Sequence, residues 1–203
     1  TEGIANQIVR TVERFGEGTS LVISLDGPSG SGKTTIAEEV VSYLRLRGYW
    51  GLSIGLDMVL KTKAWRGAVE KLIIGEPLSQ DELALLGDFA HQVKLENGLY
   101  YDEETFFKHG QALRMLQEIN QFLVSDSKGH RSLEEFERLI ASDSQDIYAL
   151  RMANGYNRAT QRMLDHTFGI AKGMIIIIEG KFANLLEFVP YYHLLYRLLF
   201  PLP

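Results

Sequence analysis

Eight consecutive residues hold the densest chemistry in the chain: Gly27, Pro28, Ser29, Gly30, Ser31, Gly32, Lys33 and Thr34. Their spacing is G-x-x-x-x-G-K-[ST] without a mismatch. Glycines let the backbone turn sharply and bring several N–H groups toward one point. Those donors, with the N-terminus of a following helix, make a concave site for an anion. Lys33 adds a compact positive charge suited to the β- and γ-phosphates of a nucleotide. Thr34 offers a hydroxyl to Mg²⁺, which takes oxygen ligands and keeps several waters. A chance match in a chain of this length is on the order of one percent. The residues expected to hold the polyphosphate are Gly27, Ser29, Gly30, Ser31, Gly32, Lys33, Thr34 and Thr35.

Other side chains are candidates for the remaining chemistry. Asp57 closes an apolar segment and is read as a general base toward an acceptor hydroxyl and as a water-mediated Mg²⁺ ligand; the alternative is a solvated strand-end carboxylate or a helix cap. Glu179 follows four isoleucines. A carboxylate at the tip of a buried strand is costly without a cation, which makes Mg²⁺ a natural partner and a salt bridge to Lys181 the alternative. Arg158 and Arg162, four apart, would share a face of a helix, where like charges repel; an anionic substrate would offset that, as would a solvated face with Asp165 nearby. Tyr156 on the same stretch could stack on a ring. Arg66 lies in the most basic short stretch, Lys61 to Gly67, and is read as reaching substrate or as part of an exposed loop. The five histidines, His91, His109, His130, His166 and His193, have no metal-ligand spacing and are read as structural.

Positioning these groups requires elements of two kinds. Ile4, Ile8, Val12 and Phe15 predict a short amphipathic helix ended by Gly16. Leu21 to Leu25 predicts a buried strand directly before the glycine-rich loop, and Lys33 to Arg47 a helix directly after it, stopped by Gly48. Tyr49 to Leu56 predicts a second strand. The middle reads as helical: Leu83 to Val93, Ala112 to Leu123, a capping box from Ser132 to Glu135, and Tyr156 to Phe168. Met174 to Ile178 is a β-branched run read as a strand, and His193 to Phe200 as another. The apolar stretch Leu185 to Pro203 contains Glu187, His193, Arg197, Pro190 and Pro201, so it is read as core helix plus core strand rather than a membrane span. Strands separated by helices imply a parallel sheet with crossovers, here with residues 78–165 as a helical lobe inserted on the substrate side of one domain, 1–203.

Composition narrows the classes. Hydrophobic residues make up 45% and charged ones 23% of 203 residues, which argues against wholesale disorder. A net charge of −5 gives no general attraction for nucleic acid. The absence of cysteine excludes disulfides, thiolate zinc sites and iron–sulfur clusters, and fits a reducing, cytoplasmic setting. Residues Thr1 to Arg14 carry charges throughout and lack the apolar core of a signal peptide. No N-K-x-D guanine signature occurs. Oligomeric state has no signal in the sequence; a homodimer is compatible with it.

The segment Asp26 to Thr35, DGPSGSGKTT, resembles the loop of P-loop small-molecule and nucleotide kinases. Ser53 to Leu60 (SIGLDMVL), Tyr156 to Arg162 (YNRATQR) and Ile175 to Gly180 (IIIIEG) resemble, in order, three further segments of the uridine kinase, phosphoribulokinase and pantothenate kinase-like family. Together they cover about a fifth of the chain. The resemblance implies a three-layer α/β P-loop fold with a mostly parallel sheet, ligands at the carboxyl ends of its strands, and transfer of the ATP γ-phosphoryl group to a small-molecule hydroxyl (nucleoside, sugar, vitamin precursor or antibiotic). Lys33 and Asp57 would then be catalytic, Thr34, Glu179 and Asp57 would serve Mg²⁺, and Arg66, Tyr156, Arg158 and Arg162 would meet the substrate. The family also carries an arginine-bearing lid beyond a fourth strand, close to where this sequence reaches Pro203. The loop resembles that of cytidylate kinase too, which leaves a nucleoside monophosphate kinase as one alternative; a non-catalytic nucleotide-binding module is another.

Overall fold

The computed structural model describes residues 1–16, 19–92, 108–124, 138, 147–157, 159–181 and 183–199. These form two compact units: residues 1–56, 113–152 and 166–203, and residues 57–112 and 153–165.

The first unit is built on a four-stranded sheet. Helix α1 (Glu2–Phe15) leads to β1 (Leu21–Asp26), then to α2 (Lys33–Leu46) and β2 (Gly51–Gly55). Later come β5 (Ile175–Gly180) and β6 (Leu194–Arg197). The order across the sheet is β2-β5-β1-β6, and every pairing is parallel. β1 and β5 are buried along their whole lengths, which their continuous apolar sequences require in a sheet covered on both faces. One face packs Leu21, Ile23, Leu25, Ile175 and Ile177 against Ile8 and Val12 of α1 and Val40 and Leu44 of α2. The periodicity of α1 and α2 seen in the sequence is this contact. Among the described residues no helix is long and apolar enough to cross a membrane.

Three sequence expectations are corrected. The stretch Tyr156 to Phe168 is not helical: it belongs to β3 (Ile147–Asn157) and β4 (Arg162–Ala171), a two-stranded sheet with four residues between its strands. So short a connection joins antiparallel neighbours. Leu150 and Met152 of β3 are buried between exposed neighbours, a period-two pattern in which tertiary pairing overrides helical spacing. Arg162 therefore opens a strand and cannot share a helix face with residue 158. The expected helix from Leu83 to Val93 is interrupted: α4 (Gln80–Leu86) ends at Gly87, whose φ of 52° breaks the turn before α5 (Phe89–Gln92). The expected core helix after Leu185 is a short 3-10 turn, Val189–Tyr191, with Pro190 in its first positions. The capping box expected at Ser132 lies outside the described residues.

The second unit begins where β2 gives way to a 3-10 turn, Leu56–Val59. It contains α3 (Lys63–Ile74), α4, α5, the start of α6 (His109–Val124) and the inner part of the β3–β4 pair. One apolar cluster among its described residues joins Ala68, Val69 and Leu86, with Trp65, Leu72 and Phe89 packed around them. Ser79 and Glu82 cap α4 reciprocally, and Glu82 also pairs with Lys71 at 2.7 Å.

Candidate functional site

The phosphate loop joins the carboxyl end of β1 to the N-terminus of α2. Gly30 and Gly32 have φ of 79° and 78°, in the left-handed region that a β-carbon disfavours. Gly32 is the N-cap of α2, so no side chain caps that end, and no acidic residue occupies its first turn. The free N–H groups and the positive end of the helix dipole are left for a ligand. The Lys33 ammonium bridges the loop, donating to the Pro28 carbonyl at 2.7 Å and to Ser31 Oγ at 3.5 Å. The Thr34 hydroxyl donates to Glu179 Oε1 at 2.9 Å. Two residues 145 apart in sequence thus meet at the tips of neighbouring elements. Parallel pairing of β1 with β5 explains the meeting: Leu25 lies opposite Glu179, at the same edge from which the loop departs. Glu179 is only 6% exposed. A β-carbon on Gly55 would come within 2.9 Å of Glu179 Oε1, so glycine there leaves room for the carboxylate.

These features fit a magnesium-bound triphosphate. The loop offers backbone donors and one fixed cation. Thr34 and Glu179 offer a hydroxyl and a carboxylate, the hard oxygen donors that Mg²⁺ prefers.

One acid at this edge escaped the sequence reading. Asp26, the last residue of β1, is 4% exposed. Its Oδ2 pairs with Arg197 Nε at 3.2 Å, across the β1–β6 register that sets the two residues opposite each other. Among the described residues neither its buried Oδ1 nor the Tyr192 hydroxyl has a hydrogen-bond partner. Burial pushes the Asp26 carboxyl above the usual aspartate range, against the opposing pull of Arg197, the Gly27 N–H and Lys33. Burial, with the Asp26 charge second, pushes the Tyr192 phenol up. Ser24, on the same strand as Asp26, donates a hydrogen bond to Asn184, which follows β5. His193 is structural, as expected: its Nδ1 accepts from the Val22 N–H at 3.0 Å.

In the second unit, Asp57 lies in the 3-10 turn two residues beyond β2, with its carbonyl accepting from Leu60 N–H. Arg66 on α3 is half-buried, and its guanidinium lies 5.2 Å from the centre of the buried Tyr156 ring. Two residues expected to meet substrate are thereby brought together. Arg66 Nε donates to the Lys61 carbonyl at 3.1 Å, and Lys61 lies over the Trp65 ring at 4.4 Å. Lys108, which the sequence did not single out, donates to the Asn154 carbonyl at 2.8 Å. Arg162 is exposed. Arg158 lies outside the described residues, as do Tyr100 and Tyr101. Among the described residues no group of three metal-ligating side chains occurs, so a metal here would rely on few protein ligands, as Mg²⁺ does.

No protein-family model matches the chain, and no curated protein sequence matches it. Solved structures do. A possible uridine kinase from Bacillus stearothermophilus aligns over 97% of this chain and 79% of its own, with 18% identity and a TM-score of 0.52. A candidate fructose transport system kinase from Silicibacter sp. TM1040 aligns over 98% and 74%, with 16% identity and a TM-score of 0.49. With the parallel sheet, the loop after β1 and the acid at the tip of β5, the first of these likenesses fixes the architecture. The chain has the α/β fold of that possible uridine kinase.

Proposed function

We propose that the protein is an ATP- and Mg²⁺-dependent kinase that phosphorylates a hydroxyl group of a small molecule. The observation that carries this reading is the Thr34–Glu179 hydrogen bond beside an uncapped, glycine-lined loop. It supports the reading because a hydroxyl and a carboxylate that would serve the metal lie beside a loop that would cradle the phosphates. The loop N–H groups and Lys33 would hold the β- and γ-phosphates and offset the charge that shifts in the transition state. Thr34 and Glu179 would hold Mg²⁺, which would supply charge neutralisation to the phosphates. Asp57 would orient the acceptor alcohol and accept its proton as the oxygen bonds to the γ-phosphorus and the bond to the β–γ bridging oxygen breaks. The products are a phosphate ester and ADP. Arg66, Tyr156 and Arg162 would meet the acceptor. A cytoplasmic setting, where ATP is abundant, belongs to the same proposal.

The test is ADP release with magnesium and ATP across a panel of nucleosides, sugars and hydroxy acids. An alcohol that stimulates release and yields its phosphate ester is expected. Asp57→Ala should then slow that reaction by about 10²–10⁴. Consumption of a nucleoside monophosphate instead would assign the acceptor as a phosphate.

A further inference from the structure

The exit of β6 and the entry of the phosphate loop are tied together by main chain and side chain alike. The Leu198 N–H donates to the Asp26 carbonyl at 2.8 Å, and Arg197 Nε pairs with Asp26 Oδ2 at 3.2 Å. The first residue of the loop is held from the same side. A β-carbon on Gly27 would lie 3.0 Å from the Leu198 carbonyl oxygen and 3.0 Å from Ser31 Oγ. Gly27 is therefore wedged between the end of β6 and the loop's own turn. Ser31 Oγ in its turn accepts from the Lys33 ammonium. Packing and hydrogen bonds thus run without a break from Arg197 and Leu198, through Asp26 and Gly27, to Ser31 and the loop's lysine.

Folding energy does not explain this pair. Asp26 is buried, and among the described residues its Oδ1 has no hydrogen-bond partner. A buried carboxyl left partly unsatisfied lowers stability. The Arg197 side chain is 70% exposed, and an ion pair so open to solvent adds little. What the pair does fix is geometry. The peptide between Asp26 and Gly27, from which the loop departs, is restrained at both ends: its carbonyl by the Leu198 N–H, and its N–H by the Asp26 carboxyl that Arg197 holds. A residue that breaks a local rule of burial beside a binding loop is one whose cost the function offsets.

We infer that Asp26 is a positioning residue for the phosphate loop and that Arg197 acts through it, so that this pair sets the loop's affinity for the polyphosphate of a nucleotide. The inference rests on the nucleotide-binding part of the kinase reading and adds β6 to the elements that shape the site. It is tested without catalysis.

The probes are magnesium ADP and magnesium pyrophosphate, titrated into the full chain by calorimetry. Pyrophosphate has no base or sugar, so an equal loss with both probes locates the effect at the phosphates. Asp26→Asn and Arg197→Gln should each weaken both probes about tenfold, and Arg197→Lys less than Arg197→Gln. The double variant should lose no more than the worse single one, because both residues act through one link. Losses that multiply in the double variant would make Arg197 an independent phosphate ligand and overturn the inference. The unfolding midpoint of Asp26→Asn at pH 7 should be no lower than the parent's while its affinity is reduced, a split that a merely structural role would not produce. Affinity that falls only in step with the midpoint, or that stays at the parent's value, overturns the inference as well. Arg197→Gln alters an exposed side chain and decides the matter if Asp26→Asn fails to fold. A parent that binds neither probe would remove the phosphate-loop reading and this inference with it. Binding by the parent that the variants lose, with no phosphate ester formed from any alcohol, would sink the kinase reading and leave the positioning role standing.

Discussion

At the carboxyl edge of the sheet, each buried acid meets a polar neighbour from another element: Asp26 takes Arg197 from β6, and Glu179 takes the Thr34 hydroxyl from α2. In the second unit the pattern inverts. There two half-buried cations, Arg66 and Lys108, meet an aromatic face and backbone carbonyls among the described residues. The first arrangement is nearly closed within the protein, awaiting a metal and phosphates that the loop donors and Lys33 attract. In the second, the described residues put no carboxylate on either cation.

The division breaks most visibly at Lys33. Lys33→Ala removes the loop's only side-chain cation but none of its N–H donors. Magnesium ATP affinity, measured by calorimetry, should fall by about a hundredfold, in keeping with loss of charge-assisted contacts to phosphate. An unchanged affinity would mean that the sheet edge does not hold the phosphates. Glu179→Gln should act next. It keeps the shape and an acceptor for Thr34 but withdraws the charge, so the magnesium concentration needed for half-maximal ADP release should rise at least about tenfold. An unchanged magnesium requirement would return Glu179 to a structural role.

How much of this was legible before folding follows from contiguity. The loop occupies one run of sequence, and its strand before and helix after could be read directly. Glu179 was found because four isoleucines ending in an acid have few readings other than a buried strand with a charged tip. Its meeting with Thr34 follows from both lying at one edge of a parallel sheet. The hairpin was misread for physical reasons. β4 is mostly exposed or half-buried, so its inward face is weakly apolar, and the left-handed positions in β3 and the turn, Asn154 and Gln161 with φ of 52° and 56°, are not glycines. The Asp26–Arg197 pair depends on strand register, to which no local spacing points. Lys108 meets β3 through a hydrogen bond formed across 46 residues of sequence.

The capping box of α4 probes the second unit without touching the candidate site. Ser79→Ala removes the side chain that accepts from the Glu82 N–H at 3.2 Å, and with it the partner that completes the reciprocal cap. The cost should be about 1 kcal/mol, seen as a drop of about 2–4 °C in the unfolding midpoint if the chain melts as one cooperative body. A first, separate transition that moves while a second stays fixed would show that the two units melt independently. Magnesium ATP affinity should not change in either case.

The smallest effect, and the one that questions the closed character of the sheet edge, is the titration of Asp26. Its folded-state pKa lies above the ordinary aspartate value of 3.8, because burial outweighs Arg197, the Gly27 N–H and Lys33. The folded protein therefore holds this proton more tightly than the unfolded chain does. The stability the group contributes is full below about pH 3.8 and is lost as pH rises through the raised folded value. Asn at this position does not titrate. The midpoint of Asp26→Asn minus that of the parent should therefore become more positive between pH 4 and pH 7, by about 1–2 °C. Arg197 loses its partner in the variant, but its side chain is 70% exposed and remains solvated, so that loss adds little. A difference that moves the other way would mean the Arg197 pair outweighs burial. The tip of β1 would then be a satisfied ion pair in full, and the contrast with Arg66 and Lys108 would be sharper than drawn above.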